Sequence, residues 1–228
     1  MLVKDFMTQN PLTVNGDISV IEAAELMKRH RVRRFPVLRN NEVVGIVTDR
    51  DLRSAGPSQV INFDKAERKL FPDLYDLLTK ITVKDIMTRN IVTISPEKTI
   101  VTASLTMLKH KITGLPVVDD QKRLIGILTE GDIFKALVGF SASHLGKTLI
   151  GLTLEDRPGV LKDVADDIRE SGGRMASILS SIKTGEKQMR QVYIRLMDDP
   201  PVNLEELKKS LEKEFELLFV IEDDVAIP

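Results

Sequence analysis

The sequence has no cysteine, which excludes disulfides, thiolate nucleophiles and cysteine-ligated zinc. Tryptophan is absent too, and two Tyr and eight Phe make up the whole aromatic complement. So few rings leave little to stack single-stranded nucleic acid on. Neither sign of charge dominates: 33 Lys and Arg stand against 34 Asp and Glu, a formal net charge of −1. No basic field draws nucleic acid to such a chain. No apolar run approaches the roughly 20 residues of a membrane-spanning helix, and Met1-Leu2-Val3-Lys4-Asp5 lacks the apolar core of a signal peptide. The expectation is a cytoplasmic protein with neither a membrane nor a nucleic-acid partner. Its 228 residues suggest one or two domains.

Catalytic constellations are scarce as well. Of the three histidines, His30 and His110 fall at expected helix ends, where a positive ring suits the helix dipole. His144 lies near Ser141 and Ser143 in a stretch with no rigid frame. Gly146-Lys147-Thr148 resembles the end of a phosphate loop, but the earlier glycine is Ser141 and a strand follows instead of a helix. No Gly-x-Ser-x-Gly elbow occurs. Carboxylates such as Glu205-Glu206 and Glu222-Asp223-Asp224 read as solvated faces and ends. The expectation is a protein that is not an enzyme, with no catalytic residue, no metal and no obligatory cofactor.

What the chain does contain is an internal repeat. Val3-Lys4-Asp5-Phe6-Met7-Thr8 returns 80 residues later as Val83-Lys84-Asp85-Ile86-Met87-Thr88, and aligning 3–38 with 83–118 gives 12 identities in 36 positions. After one inserted residue the repeat continues through Gly45/Gly126, Thr48/Thr129 and Asp51/Asp132. Each copy reads Gly, two apolar residues, Thr, two variable residues, Asp: a strand running into a capped helix. A helix start suits a phosphate, a Thr hydroxyl adds a donor, and an Asp one turn on can accept from a ribose diol.

Ser19 with Glu22 reads as a capping box, followed by Val20, Ala23, Ala24 and Met27 at helical spacing. Thr99 opens the matching helix in the second copy. Phe35–Leu38 and Val43–Val47 around Asn40-Asn41 read as a hairpin. A unit of about 50 residues is too small to be comfortable alone, so two should pack together. Between the copies lies an insert with Leu70, Leu74, Leu77, Leu78 and Pro72; after them, Gly139, Ser141, Ser143 and Gly146 suggest a linker. Beyond it, strand 149–154, a helix with Pro158 at its first position and ending at Gly172-Gly173, strands 175–182 and 189–197 around Thr184-Gly185-Glu186, a helix capped by Asn203, and strand 216–222 give the order βαββαβ.

Lys28-Arg29-His30-Arg31-Val32-Arg33-Arg34 is a basic run. Its first part suits a helix C-terminus, whereas Arg33 and Arg34 lead into a strand and match phosphate geometry. Their counterparts are Thr113 and Gly114, so the copies are alike in fold and unlike in charge.

On Val-Lys-Asp-Phe/Ile-Met-Thr, apolar-Pro-Val and Gly-x-x-Thr-x-x-Asp, each present twice, residues 1–137 resemble a tandem pair of cystathionine-β-synthase (CBS) domains, a regulatory Bateman module. The resemblance implies an adenosine ligand in clefts between the repeats: AMP, ADP or ATP, with S-adenosylmethionine ranked below them. It implies phosphate or ribose contacts for Thr48 and Thr129, ribose contacts for Asp51 and Asp132, and adenine framed by the backbone around Thr13-Val14, Phe35-Pro36, Thr93-Ile94 and Leu115-Pro116. The nucleotide-binding set also takes in Arg33 and Arg34 for phosphate, and Thr113 and Gly114, where the chain departs from the basic pattern of strong phosphate binders. On Asp156-Arg157-Pro158-Gly159-Val160-Leu161 the C-terminal part resembles an ACT domain. That implies an amino acid held by those six residues and a homodimer.

The expected fold is therefore α/β (α+β). CBS repeat 1 covers 1–80 with its insert at 53–80, repeat 2 covers 81–137, a linker 138–146, and a ferredoxin-like ACT domain 147–228. The whole resembles the acetoin-utilisation CBS–ACT proteins. The expected function is non-enzymatic regulation through adenine nucleotides and an amino acid. The alternatives are a regulatory subunit of a metabolic enzyme, of the IMP-dehydrogenase-like or acetoin-utilisation kind, and a scaffold with empty pockets.

Overall fold

The computed structural model describes residues 1–55, 76, 78–182 and 189–222. Most of the expected insert, the turn at 184–186 and the acidic end at 223–224 lie outside the described residues. The chain divides into two compact units, Met1–Ile133 and Phe134–Pro228.

The first unit repeats one design. Helix α1 (Val20–His30) starts where Ser19 Oγ accepts the Glu22 N–H at 3.1 Å, buries Val20, Ala23, Ala24 and Met27, and ends on Arg31 at φ 54°. Its two-turn stripe is what helical spacing predicts. The second copy is built alike: helix 100–110 is capped by Thr99, buries Ile100, Ala103 and Met107, and ends on Lys111 at φ 53°. Strands β1 (Thr8–Gln9) and β2 (Val14–Asn15) are short; β3 (Arg34–Arg39) and β4 (Glu42–Thr48) form the expected hairpin. Asn40 (φ 52°) and Asn41 (φ 66°) take the paired left-handed turn whose twist matches the strands. Helix α2 (Asp49–Ser54) follows, then α3 (Val83–Ile86), α4 (Ile100–His110), β5 (Gly114–Val118) and β6 (Leu124–Thr129). The two sheets run β2-β3-β4 and β1-β6-β5.

The packing repeat is offset from the sequence repeat. Segment 1–10 bonds to the other copy: Val3 N–H donates to Lys98 O at 2.8 Å, and Thr8 pairs with Ile127. Reciprocally, Val83 N–H donates to Ile18 O at 2.9 Å, and Thr88 pairs with Ile46. Even the ion pairs correspond, Lys4 with Glu97 and Lys84 with Asp17. Val83, Ile81, Ile86 and Met87 join the core of Val20, Met27, Phe35, Val47 and Leu52. A boundary at 80/81 therefore cuts through packing, not between modules.

Helix α5 (Glu130–Ser141) takes the chain into the second unit. The linker expected at 138–146 is thus helical as far as Ser141, and its remainder is tied down. Buried Arg195 donates from Nε to Ser141 O at 3.0 Å and from Nη1 to Gly146 O at 3.1 Å. Small residues suggested a loose stretch, but Gly146 sits there for fit: a Cβ on it would overlap the Leu196 carbonyl.

In the second unit β7 (Thr148–Glu155), β8 (Met175–Ile182), β9 (Met189–Leu196) and β10 (Glu216–Glu222) form an antiparallel sheet in the order β10-β7-β9-β8. Helices α6 (Val160–Glu170) and α7 (Leu204–Glu214) connect strands and share its core through Val160, Val164, Ile168, Leu207 and Leu211. The order is βαββαβ, a ferredoxin-like arrangement. Pro158 is not the first helical residue as expected. Gly159 takes the N-cap at φ 88°, a left-handed conformation that glycine adopts without steric cost, and Pro158 lies ahead of it. Among the described residues no helix is long and apolar enough to cross a membrane.

Candidate functional site

Two neighbouring clefts in the first unit carry the candidate nucleotide residues. The first, of about 530 Å³, has Thr129, Glu130 and Gly131 at the start of α5, the β1 end with Thr8, Asn10 and Pro11, and the basic residues Arg31, Arg33 and Arg34. The second, of about 690 Å³, has Thr48, Asp49, Arg50 and Asp51 at the start of α2, then Thr88, and Lys111, Thr113 and Gly114. Both lie in the 300–1,000 Å³ range of small-molecule pockets. The repeat relates them position by position: Thr129 to Thr48, Thr8 to Thr88, Arg31 to Lys111, Arg33 to Thr113, Arg34 to Gly114. Strand offset has a consequence here. Arg31 of the first copy lines the cleft of Thr129, and Lys111 and Gly114 of the second line that of Thr48.

Four side chains line both clefts: Arg33, Arg34, Thr113 and Glu130. Arg34 stands at the junction. Its Nη2 donates to Thr113 Oγ1 at 2.9 Å, and its guanidinium lies where a side chain on residue 114 would stand. Burial pushes its pKa below the ordinary arginine value; Glu130 works against that shift and Arg33 with it.

Each Gly-x-x-Thr-x-x-Asp segment closes on itself. Asp51 Oδ2 accepts from Thr48 N–H at 2.8 Å and Thr48 Oγ1 at 2.7 Å. Asp132 Oδ2 accepts from Thr129 N–H at 2.9 Å and Thr129 Oγ1 at 2.7 Å. Asp5 and Asp85 make the same reach back to the N–H of Leu2 and Thr82. The Val-Lys-Asp motif is thus also a cap.

Of the residues expected at the nucleotide, Thr48, Asp51, Gly114, Thr129 and Pro36 each line one cleft, and Arg33, Arg34 and Thr113 line both. Thr13, Val14, Phe35, Thr93, Ile94, Leu115, Pro116 and Asp132 line neither. Val14, Phe35, Ile94 and Leu115 are core, Asp132 is buried at the α5 start, and Ile94 N–H bonds the Pro116 carbonyl. Residues that sequence reading missed include Thr8, Thr88, Arg50 and Lys111. The repeated Met-Thr at 7–8 and 87–88 was the available signal for the threonines.

In the second unit Asp156, Arg157, Pro158, Gly159, Val160 and Leu161 do come together around a recess of about 430 Å³, joined by Arg190. Arg190, from β9, grips Asp156 Oδ1 with Nε at 2.8 Å and Nη2 at 2.5 Å and donates to Ser180 Oγ at 3.0 Å. Arg157 pairs with Asp163 at 2.7 Å. No sequence signal connected Arg190 to a loop some thirty residues earlier. Among the described residues no group of three or more potential metal ligands is gathered.

A family model for the CBS domain matches residues 3–58 and 83–139. An uncharacterized protein of Methanocaldococcus jannaschii (MJ1426) is 33% identical over 155 residues, covering 60% of this chain and 92% of that protein. This chain belongs to the CBS-domain family. The L-aspartate semialdehyde sulfurtransferase of M. jannaschii is 31% identical over 139 residues; its match covers 60% of this chain, which spans only 23% of that protein. Among solved structures, AcuB of Vibrio cholerae, provisionally described as an acetoin utilization protein, is 25% identical at a TM-score of 0.50. That likeness covers 63% of this chain and 95% of AcuB. The CBS matches fall on the part that holds the two clefts.

Proposed function

We propose that this protein is a regulatory, non-catalytic sensor of adenine nucleotides, with AMP, ADP or ATP held in the two clefts of its CBS pair. The observation that carries this reading is the pair of repeat-related clefts, each with a threonine at a helix start and a basic wall that suits phosphate. In the first cleft Thr129 and Arg33 or Arg34 would meet the phosphates; in the second, Thr48, Arg50 and Lys111. Ligand would act by differential affinity for two arrangements of the chain.

The C-terminal unit, 147–228, is assigned as an ACT domain on its βαββαβ order and its Asp156–Leu161 loop, with an amino acid as its ligand. We assign the acetoin-utilisation CBS–ACT type, a homodimeric state and a regulated enzyme as target to the same reading. The sulfurtransferase name does not transfer as an activity, because the match covers less than a quarter of that protein. Isothermal calorimetry with AMP, ADP, ATP, S-adenosylmethionine and adenosine on the full chain tests the proposal. Micromolar binding, about −8 kcal/mol, is expected for at least one adenine nucleotide; no heat and no thermal stabilisation with any of them rejects it.

A further inference from the structure

The two clefts are repeat-related but not independent. Arg33, Arg34, Thr113 and Glu130 face both of them, so a ligand tail in either cleft ends against the same group of side chains. Among these Arg34 is distinctive. It is half-buried, donates to Thr113 Oγ1 at 2.9 Å across the two repeats, and lies over Gly114, its own counterpart in the second copy. The second copy supplies no matching guanidinium, because its position is glycine and the space is already filled.

On the reading that the clefts hold adenine nucleotides, we infer that Arg34 is a shared phosphate clamp that serves one cleft at a time, so that the CBS pair takes one polyphosphate tail tightly and disfavours a second. A guanidinium fork engages one phosphate in a bidentate pair. Once Arg34 has turned from Thr113 into one cleft, a tail in the other meets the carboxylate of Glu130 and the first ligand's charge without that cation. Like charges at such range repel. A neutral occupant such as adenosine makes no claim on Arg34 and escapes the penalty. The state favoured when ATP is abundant is thus a mixed one, with one polyphosphate nucleotide beside a cleft that is empty or holds a less charged adenosine ligand.

Calorimetric titration of the full chain with ATP and, separately, with adenosine tests the inference. In the wild type the two ATP steps should differ in affinity by at least about tenfold more than the two adenosine steps do, a charge-assisted hydrogen bond being worth that much. In Arg34→Ala the tighter ATP step should weaken by about tenfold or more. The looser step should barely move, so the two converge, and both adenosine steps should stay within about twofold. The wild-type comparison needs no variant, and circular dichroism establishes whether Arg34→Ala is folded. ATP steps split no more widely than the adenosine steps, or a split undiminished in Arg34→Ala, would overturn the shared clamp while leaving the nucleotide sites standing. Failure of every adenosine ligand to bind would instead overturn the sensor reading, and the clamp with it.

Discussion

The sulfur of Met87 fills the space that a side chain at position 45 would need. A Cβ built on Gly45 would stand 2.5 Å from Met87 Sδ and 3.1 Å from the Thr88 carbonyl oxygen. Met7 stands in the same relation to Gly126, at 2.5 Å from the built Cβ. The glycine of each Gly-x-x-Thr-x-x-Asp segment is thus a packing requirement imposed by a methionine from the other copy, whatever the cleft beyond it binds.

Gly45→Ala should therefore destabilise the first unit by about 1–3 kcal/mol, the usual cost of overpacking. Met87→Ala in the same chain should recover part of that loss, because contacting sites are not additive. Urea unfolding of the two variants and of the wild type measures both. A Gly45→Ala variant as stable as the wild type would show that Met87 yields at no cost.

Asp51→Ala should have two effects, because the residue is both a helix cap and a candidate ribose contact. Asp51 holds the N–H and the hydroxyl of Thr48, so its removal takes away a helix cap, with an expected stability loss of about 0.5–2 kcal/mol. Nucleotide affinity in the second cleft should fall as well. Chemical denaturation without ligand separates the two effects: unchanged stability would mean that the cap is dispensable.

Asp167 gives a pH dependence of known sign. Its Oδ2 has no hydrogen-bond partner among the described residues. Burial, then Glu214, Glu170, Asp163 and Asp166, hold its pKa above the ordinary aspartate value. The folded state thus favours the protonated acid. That contribution is fully present below the unfolded-state pKa and is lost as pH rises through the higher folded-state value. Asp167→Asn should accordingly melt higher than the wild type at neutral pH, and the gap should close in acid. Thermal melts at pH 7 and below pH 4 check this; an equal gap at both would contradict it.

The loop at 156–161 should respond to an amino acid if the ACT assignment holds. The expected responders in chemical-shift mapping are Asp156, Arg157 and Gly159. Arg190→Ala should abolish the response by releasing Asp156. Silence across a full amino-acid panel would leave this unit a structural role.

A homodimer of about 51 kDa, twice the 25.6 kDa chain, is expected in solution, two-fold closure being the commonest assembly of soluble chains. Sheet order leaves β8 and β10 as edges, and edges need covering. Multi-angle light scattering at micromolar concentration decides it, and a clean monomer would refute it.

Local chemistry was legible in the sequence because local rules wrote it. Asn40-Asn41 announces a tight hairpin, Ser19, Thr99 and Asn203 announce helix starts, and Gly172 announces a helix end. What could not be read was set by groups distant along the chain. Nothing near Gly45 names Met87, nothing near Asp156 names Arg190, and nothing near Ser141 shows that Arg195 fastens its carbonyl. Gly146 suggested looseness where it packs against the Leu196 carbonyl, because close packing and flexibility call for the same residue type. Of the candidate site, Thr48, Thr129, Arg33 and Arg34 line the clefts, because the repeat marks the helix starts and the basic run, whereas the side chains of Phe35, Leu115 and Ile94 are buried in the core.

The exchanged segments bear on how the chain is made. As synthesis proceeds from the N-terminus, the first copy emerges without residues 82–88. The backbone of Gly16, Ile18 and Ile46, which those residues satisfy, waits for them. Residues 1–9 meanwhile wait for their bonds to 96–99 and 125–127, which follow. The first copy can thus complete its backbone bonding once residues 82–88 have been made, and a chain halted near residue 80 leaves Gly16, Ile18 and Ile46 without them.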